Sequence, residues 1–397
     1  MFYTPEPRDG GTLSGAMSKI RTAMIGSGFM GKVHTEAVRR LGNVEVVAVA
    51  GSSDAKARAF ADANFIPGST GDWKSLVGKK EVDAVHILTP NEQHCEMVKA
   101  FAKAGQHVLC EKPLAMSAAE AKDMLRTAEK HNVVHATNHN LRYYPMVQHV
   151  RNIIANGDLG DILVAQGTYY QDWLLYETDY NWRLEAKANG PLRVVGDIGS
   201  HWMDMIQHLT GLKISSLCAD LNIVHKNRKR PKGSVETFSG KLAKGAGYED
   251  YKVETEDFGM VMLKLGDRAR GCYSVSQVSA GCKNRFEFEI FGTKAGVRWN
   301  QETPDLLWIG NRNTPNQIIV KDPSMMAGDS ASFADLPGGH SEGYDDSHKQ
   351  LFRRFYKRIA DRKAKIEYPT LADGLWGMIC LEAVSKSNKK QSGVKVG

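Results

Sequence analysis

No run of apolar residues in this 397-residue sequence approaches the roughly 18 that a membrane-spanning helix requires, so no membrane partner is expected. Its six cysteines (Cys95, Cys110, Cys218, Cys272, Cys282 and Cys380) show no CxxC spacing. That argues against a zinc site and fits reduced thiols in a cytoplasm rather than a disulfide framework. The histidines, among them His94, His139 and His208, lack metal-ligand spacing too, so no metal is expected. The opening MFYTPEPRDGGTLSGAMSKIRTAMIG has neither the basic start nor the apolar stretch of a secretory signal. Residues 1–18 read as a loose N-terminal arm, and the expected location is cytoplasmic. Internal repeats and low-complexity linkers are absent as well. The formal charge of +7 has one concentration, KNRKRPK at Lys226 to Lys232. Beside a proline, such a run reads as a solvated loop, and no nucleic-acid partner is expected.

What is present is a rhythm. From Arg21 onward the runs TAMIG, VEVVAVA, AVHILT, HVLC and VVHAT alternate with the amphipathic segments KVHTEAVRRL, NEQHCEMVKAFAKAG and SAAEAKDMLRTAEKHN. Continuous apolar runs suit strands covered on both faces, and their alternation with helices predicts a doubly wound parallel sheet, a Rossmann domain over residues 19–139. After Asn140 the pattern changes. Helical MVQHVRNIIANG leads to DILVAQGTYYQDW, and then DFGMVMLKL, ARGCYSVSQVSA, RFEFEIFGT and GVRWN alternate apolar with polar residues. That alternation predicts half-buried antiparallel strands, hence an α+β domain with a large open sheet over residues 140–397. The open face needs a cover, for which a second subunit is the candidate, giving a homodimer or homotetramer. Two late segments, GYDDSHKQLFRRFYKRIADR and ADGLWGMICLEAVSKSNK, read as amphipathic helices.

The chemistry begins at MIGSGFMG, where Gly26, Gly28 and Gly31 stand in GxGxxG spacing directly after the first strand. The first glycine permits the tight turn, the second admits a pyrophosphate, and the third allows close helix packing, so Gly26, Gly28, Phe29, Met30 and Gly31 are candidate dinucleotide contacts. The ribose end falls in VAVAGSSDAK. Ser52 and Ser53 are candidate contacts there. Gly51, Ser52 and Ser53 leave room for a 2'-phosphate within reach of Lys56, while Asp54 offers an acid for free hydroxyls. NAD is favoured and NADP stays open. In GDIGSHWMD, a helix would bring Asp197, His201 and Asp204 to one face, one and two turns apart. Asp204 reads as a structural partner on that face. The stretch YYQDWLLYETDYNWR (Tyr169 to Arg183) supplies rings suited to the apolar face of a pyranose. Its polar groups suit the hydroxyls, with Gln171, Trp173 and Arg183 as site candidates beside Asp172 and Asn181.

TPNEQH (Thr89 to His94), AGQHVLCEKPLA (Ala104 to Ala115) and the DxxxH of Asp197 and His201, in this order behind the glycine turn, resemble the Gfo/Idh/MocA oxidoreductase family, the glucose-fructose oxidoreductase and inositol dehydrogenase group. The resemblance implies that Lys112 is the active-site lysine, Asp197 the carboxylate and His201 the catalytic histidine. It also implies that Thr89, Pro90, Asn91, His94, Glu111 and Lys112 border the cofactor, that Pro113 fixes a turn, and that Asn140, Arg142 and Tyr143 line or support the substrate site. The roles suit the chemistry: an imidazole near its ordinary pKa accepts a hydroxyl proton, and an ammonium stabilises developing alkoxide.

The 169–183 stretch, GDIGSHWMD and LPGGHSEGY (Leu336 to Tyr344) resemble the levoglucosan dehydrogenase type within that family. They imply NAD-dependent oxidation of a pyranose secondary alcohol at C3, with His340 on a loop able to close over substrate. An inositol dehydrogenase, a redox glycosidase that retains its NAD, and a non-catalytic nucleotide-sensing regulator are the alternatives.

Overall fold

Five of the expected runs become strands of one parallel sheet, and a sixth strand joins them. A computed structural model describes residues 19–232 and 247–397, so the expected N-terminal arm lies outside the described residues. The strands are β1 (Ile20–Ile25), β2 (Val44–Ala50), β3 (Gly68–Thr70), β4 (Ala84–Ile87), β5 (His107–Cys110) and β6 (His135–Thr137). They lie in the order β3-β2-β1-β4-β5-β6, all parallel. The central strands are buried on both sides, Met24 and Ile25 as fully as Val85 and Leu109, which is why their sequences are apolar without alternation. Helices α1 (Phe29–Arg39), α2 (Asp54–Ala63), α3 (His94–Lys103) and α4 (Ala118–Lys130) connect them. Only β3 and α2 carry too weak a pattern to be read from the sequence. Strand order reverses between β1 and β4, and such a sheet opens its binding crevice beyond the strand ends at that point.

Helix α5 (Pro145–Ala155) leads into β7 (Ile162–Tyr170), then the short α6 (Ala186–Asn189) and α7 (Ser200–Thr210). Eight strands follow: β8 (Ile214–Asn222), β9 (Asn227–Pro231), β10 (Tyr248–Lys252), β11 (Phe258–Leu265), β12 (Ala269–Ser276), β13 (Arg285–Gly292), β14 (Ala295–Asn300) and β15 (Leu306–Asn311). After them come β16 (Gln317–Val320), α8 (Tyr344–Ala360), α9 (Leu371–Lys390) and β17 (Val394–Lys395). Nine of these strands form one sheet in the order β16-β15-β14-β13-β7-β12-β11-β8-β17, antiparallel except where β12 meets β7.

Helices α5, α7 and α9 cover one face of the sheet: Trp202 of α7 stacks on Tyr273 of β12, and Ser387 of α9 bonds the backbone of β8. Among the described residues the other face is open and carries Met260 and Met262, 55% and 62% exposed. The basic run is not a solvated loop. It forms β9 in a hairpin with β10, and Arg228 within it is buried in an ion pair with Asp257.

Candidate active site

Each glycine of the turn after β1 meets a different surrounding. Gly26 has φ +132, and a Cβ there would lie 2.8 Å from the Leu88 carbonyl oxygen. A Cβ on Gly31 would lie 2.4 Å from the Gly26 oxygen, so helix and turn touch through backbone alone. At Gly28 a Cβ would meet nothing within 4 Å. Gly28 caps α1 without a side-chain hydrogen bond, and no acidic residue stands in the first turn of that helix. Open space, free amides and no competing carboxylate fit a pyrophosphate. The ribose end differs from expectation. Gly51 packs where a Cβ would meet the Ala57 nitrogen at 2.8 Å, Ser53 Oγ caps α2, and Asp54 accepts from the Gly71 amide. Of this group, Ser52 stays exposed with its side chain uncommitted.

Lys112 stands two residues after β5, before a cis Lys112–Pro113 bond, and its Nζ donates to Asp197 twice, at 3.0 Å to Oδ1 and 2.8 Å to the main-chain oxygen. Arg183 Nε lies 3.4 Å from the same Oδ1, and Gln277 Nε2 donates to Oδ2 at 2.9 Å. Burial alone would push the Asp197 carboxyl up. The charges of Lys112 and Arg183, with the hydrogen bonds from Lys112 and Gln277, instead hold it at about 2. Asp197 sits in a π turn, Val195–Gly199, immediately before α7, a wide turn frequent at functional sites. Asp197 and His201 share no hydrogen bond or ion pair among the described residues.

His201 is buried between the rings of His139 and Tyr169 and makes no hydrogen bond among the described residues. Burial first, then the charge of Lys112 and its histidine neighbours, keeps it well below the ordinary histidine value. Lys112, Asp197 and Arg183 thus meet at one point, with a neutral imidazole nearby.

Two models match the chain: "Oxidoreductase family, NAD-binding Rossmann fold" over residues 20–139, and "GFO/IDH/MocA C-terminal domain" over 147–298. The chain belongs to the Gfo/Idh/MocA family. It is 29% identical over 394 residues to levoglucosan dehydrogenase of Pseudarthrobacter phenanthrenivorans, covering 96% of this chain and 99% of that one. A solved levoglucosan dehydrogenase complex with NADH and levoglucosan superposes with a TM-score of 0.85 at 27% identity, over 96% of this chain and 99% of the other. Glucose-6-phosphate 3-dehydrogenase of Bacillus subtilis is 25% identical over 325 residues, 80% of this chain and 86% of its own. The chain is an NAD-binding oxidoreductase of the sugar dehydrogenase type.

Within this Gfo/Idh/MocA chain several expected contacts are engaged elsewhere. Glu111 is buried, accepting from Asn138 Nδ2 and bonded to His34 Nε2 at 2.9 Å. His94 is a buried strut between the Thr89 oxygen and the oxygens of Pro113 and Leu114, so it ties the TPN loop to the EKP loop. Thr89 Oγ1 turns to Met97, and Pro90 caps the turn that begins at Asn91. Asn91 itself donates to Asn189 across the crevice. Phe29 is 45% exposed at the start of α1, and Met30 touches the Tyr344 hydroxyl.

The substrate candidates divide likewise. Buried Arg142 donates two hydrogen bonds to the Asp204 carboxylate and a third to Asp373, and Tyr143 donates to the Glu367 oxygen. Both border a cavity of about 320 Å³ that Lys112, Asp197 and His201 do not line. Asp204 is thus a partner of Arg142 across elements rather than along its own helix. Asn140 donates to Ser347, and Gln171 is shared by Asn284 and Trp173. His340 is exposed and bonds the Gly338 oxygen, while buried Lys321 donates to the Leu336 and His340 carbonyls.

Sequence reasoning missed Gln277 and Tyr344. The sequence carried a signal for Gln277: it directly follows β12 in phase with the buried Tyr273 and Val275, and a polar residue there calls for partners. Tyr344, whose hydroxyl is pushed upward by burial and by Glu111 and Asp197, had no such signal.

Proposed function

We propose that this chain is an NAD-dependent dehydrogenase that oxidises a secondary hydroxyl of a pyranose, a levoglucosan- or glucoside-like sugar, at C3, with His201 as the base. The observation that carries the reading is the pairing of Lys112 with ionised Asp197 beside an unpartnered, neutral His201. The names of the relatives, one acting on levoglucosan and another a 3-dehydrogenase, support the substrate class and the carbon. Residues 19–139 serve as the dinucleotide-binding domain and 140–397 as the substrate and oligomerisation domain.

The Gly26 to Gly31 turn and the α1 amides would hold the pyrophosphate of NAD, whose nicotinamide would supply the hydride acceptor when bound. Two of the three Nζ protons of Lys112 are committed to Asp197, which leaves one for the substrate oxygen. The ammonium then stabilises negative charge on that oxygen as it develops. His201, uncharged at neutral pH, takes the hydroxyl proton on a free ring nitrogen. Arg183 on Oδ1 and Gln277 on Oδ2 keep Asp197 charged.

Absorbance at the NADH wavelength tests this, with NAD and NADP offered separately against levoglucosan, glucose, glucosides and inositols. Reduction of NAD on an anhydrosugar or glucoside, with a 3-keto product, is the expected result. Turnover on inositols alone would replace the substrate, and cofactor held without net turnover would favour the redox glycosidase.

A further inference from the structure

Asp197 is the end of a buried polar chain. Gln277 is fully buried, with Nε2 donating to Asp197 Oδ2 at 2.9 Å and Oε1 accepting from Arg193 Nη1 at 3.1 Å. Arg193 is paired in turn with Asp257, and Asp257 with Arg228 at 2.7 Å, all three at 0% side-chain exposure. Arg228 finally donates to the carbonyls of Leu174, Tyr176 and Asp179, in the loop after β7. The backbone of Gln277 is pinned on both sides, its amide on the Asp257 oxygen and its carbonyl on the Leu174 amide. Glu256, next to Asp257, accepts the amides of Arg193 and Val195 and so caps the turn that presents Asp197.

An amide side chain has one acceptor end and one donor end. Guanidinium is a donor only, and an ionised carboxylate is an acceptor only. One orientation of Gln277 satisfies both neighbours, and Arg193, locked by Asp257, imposes it. The donor end must then face Asp197, which favours the carboxylate in its ionised, Lys112-directed state. We propose that Gln277 is a positioning residue of the oxidation, holding Asp197 as an ionised acceptor for Lys112 through an orientation dictated by Arg193. This rests on the reading of Lys112 and Asp197 given above.

The test uses the full chain with NAD and the sugar substrate, comparing Gln277→Leu, Gln277→Glu and Asp197→Asn. Gln277→Leu removes the hydrogen bond on Oδ2, and kcat falls roughly 10- to 100-fold with the KM for NAD unchanged. Its acid limb of kcat against pH moves upward, because Asp197 protonates more readily. In Gln277→Glu the new carboxylate faces Asp197, and only its protonated form can donate. Activity relative to the parent chain therefore rises as pH falls, a signature that a packing defect does not produce. If Gln277→Leu fails to fold, the pH trend of Gln277→Glu decides alone. A parent-like kcat and pH profile in whichever of the two variants fold, with Asp197→Asn inactive, overturns the inference and leaves the site reading intact. Normal turnover by Asp197→Asn overturns both.

Discussion

Lys112 Nζ lies within hydrogen-bond distance of both the carboxylate and the main-chain oxygen of Asp197, joining the end of the parallel sheet to the π turn before α7. One ammonium therefore bridges the NAD-binding Rossmann domain to the C-terminal domain. Lys112→Met should abolish turnover while NAD affinity, measured by fluorescence titration, stays near that of the parent. A pure loss of affinity would make Lys112 a cofactor ligand instead.

His201→Ala should lower kcat about 100-fold or more at neutral pH, because it removes the imidazole assigned to take the proton, the ring packed against His139 and Tyr169. Near-normal turnover in a variant with unchanged circular dichroism would remove it from that role.

The three glycines separate fold from binding. Gly31→Ala drives a methyl into the Gly26 oxygen, so the melting temperature should fall. Gly28→Ala has room for its methyl, so its melting temperature should hold while the KM for NAD rises about 10-fold or more, as expected where backbone approaches a pyrophosphate. A Gly28→Ala variant with unchanged KM would show that the opening receives no phosphate.

Arg142→Leu leaves Asp204 and Asp373 without their shared cation, and uncompensated buried charge costs roughly 3–5 kcal/mol. Urea unfolding should register that loss, while the KM for sugar in the folded fraction stays unchanged. A raised KM with intact stability would return Arg142 to the substrate site.

Nine histidines, His86, His94, His107, His135, His139, His149, His201, His208 and His348, are held below their ordinary pKa, each chiefly by burial. The unfolded chain protonates them near 6.5 and the folded chain resists, so stability should fall as pH drops from about 7 to 5. The carboxyls of Glu111 and Asp197, at about 2 when folded, give stability that persists above their unfolded pKa near 4 and is lost only below it. Melting temperature against pH separates the two windows; a flat curve from 7 to 5 would contradict the burial of these rings.

The two sheets, their order along the chain and the glycine turn were legible in the residues themselves, because strand burial and turn geometry act over a few neighbours. The parallel strands are apolar throughout and the later strands alternate, and those periods are local properties of β structure. Lys112, Asp197 and Arg183 stood out in the residues as candidates for the site too, although their contacts with one another did not. Pairing across 85 positions between Lys112 and Asp197, the diversion of Arg142 to Asp204 and Asp373, and the grip of Lys321 on the His340 loop depend on which surfaces the fold brings together. Electrostatics decides such matters at distances of a few ångströms, after packing has chosen the neighbours. The residues determined which groups were available for chemistry, and the tertiary structure decided which of them were left free to perform it.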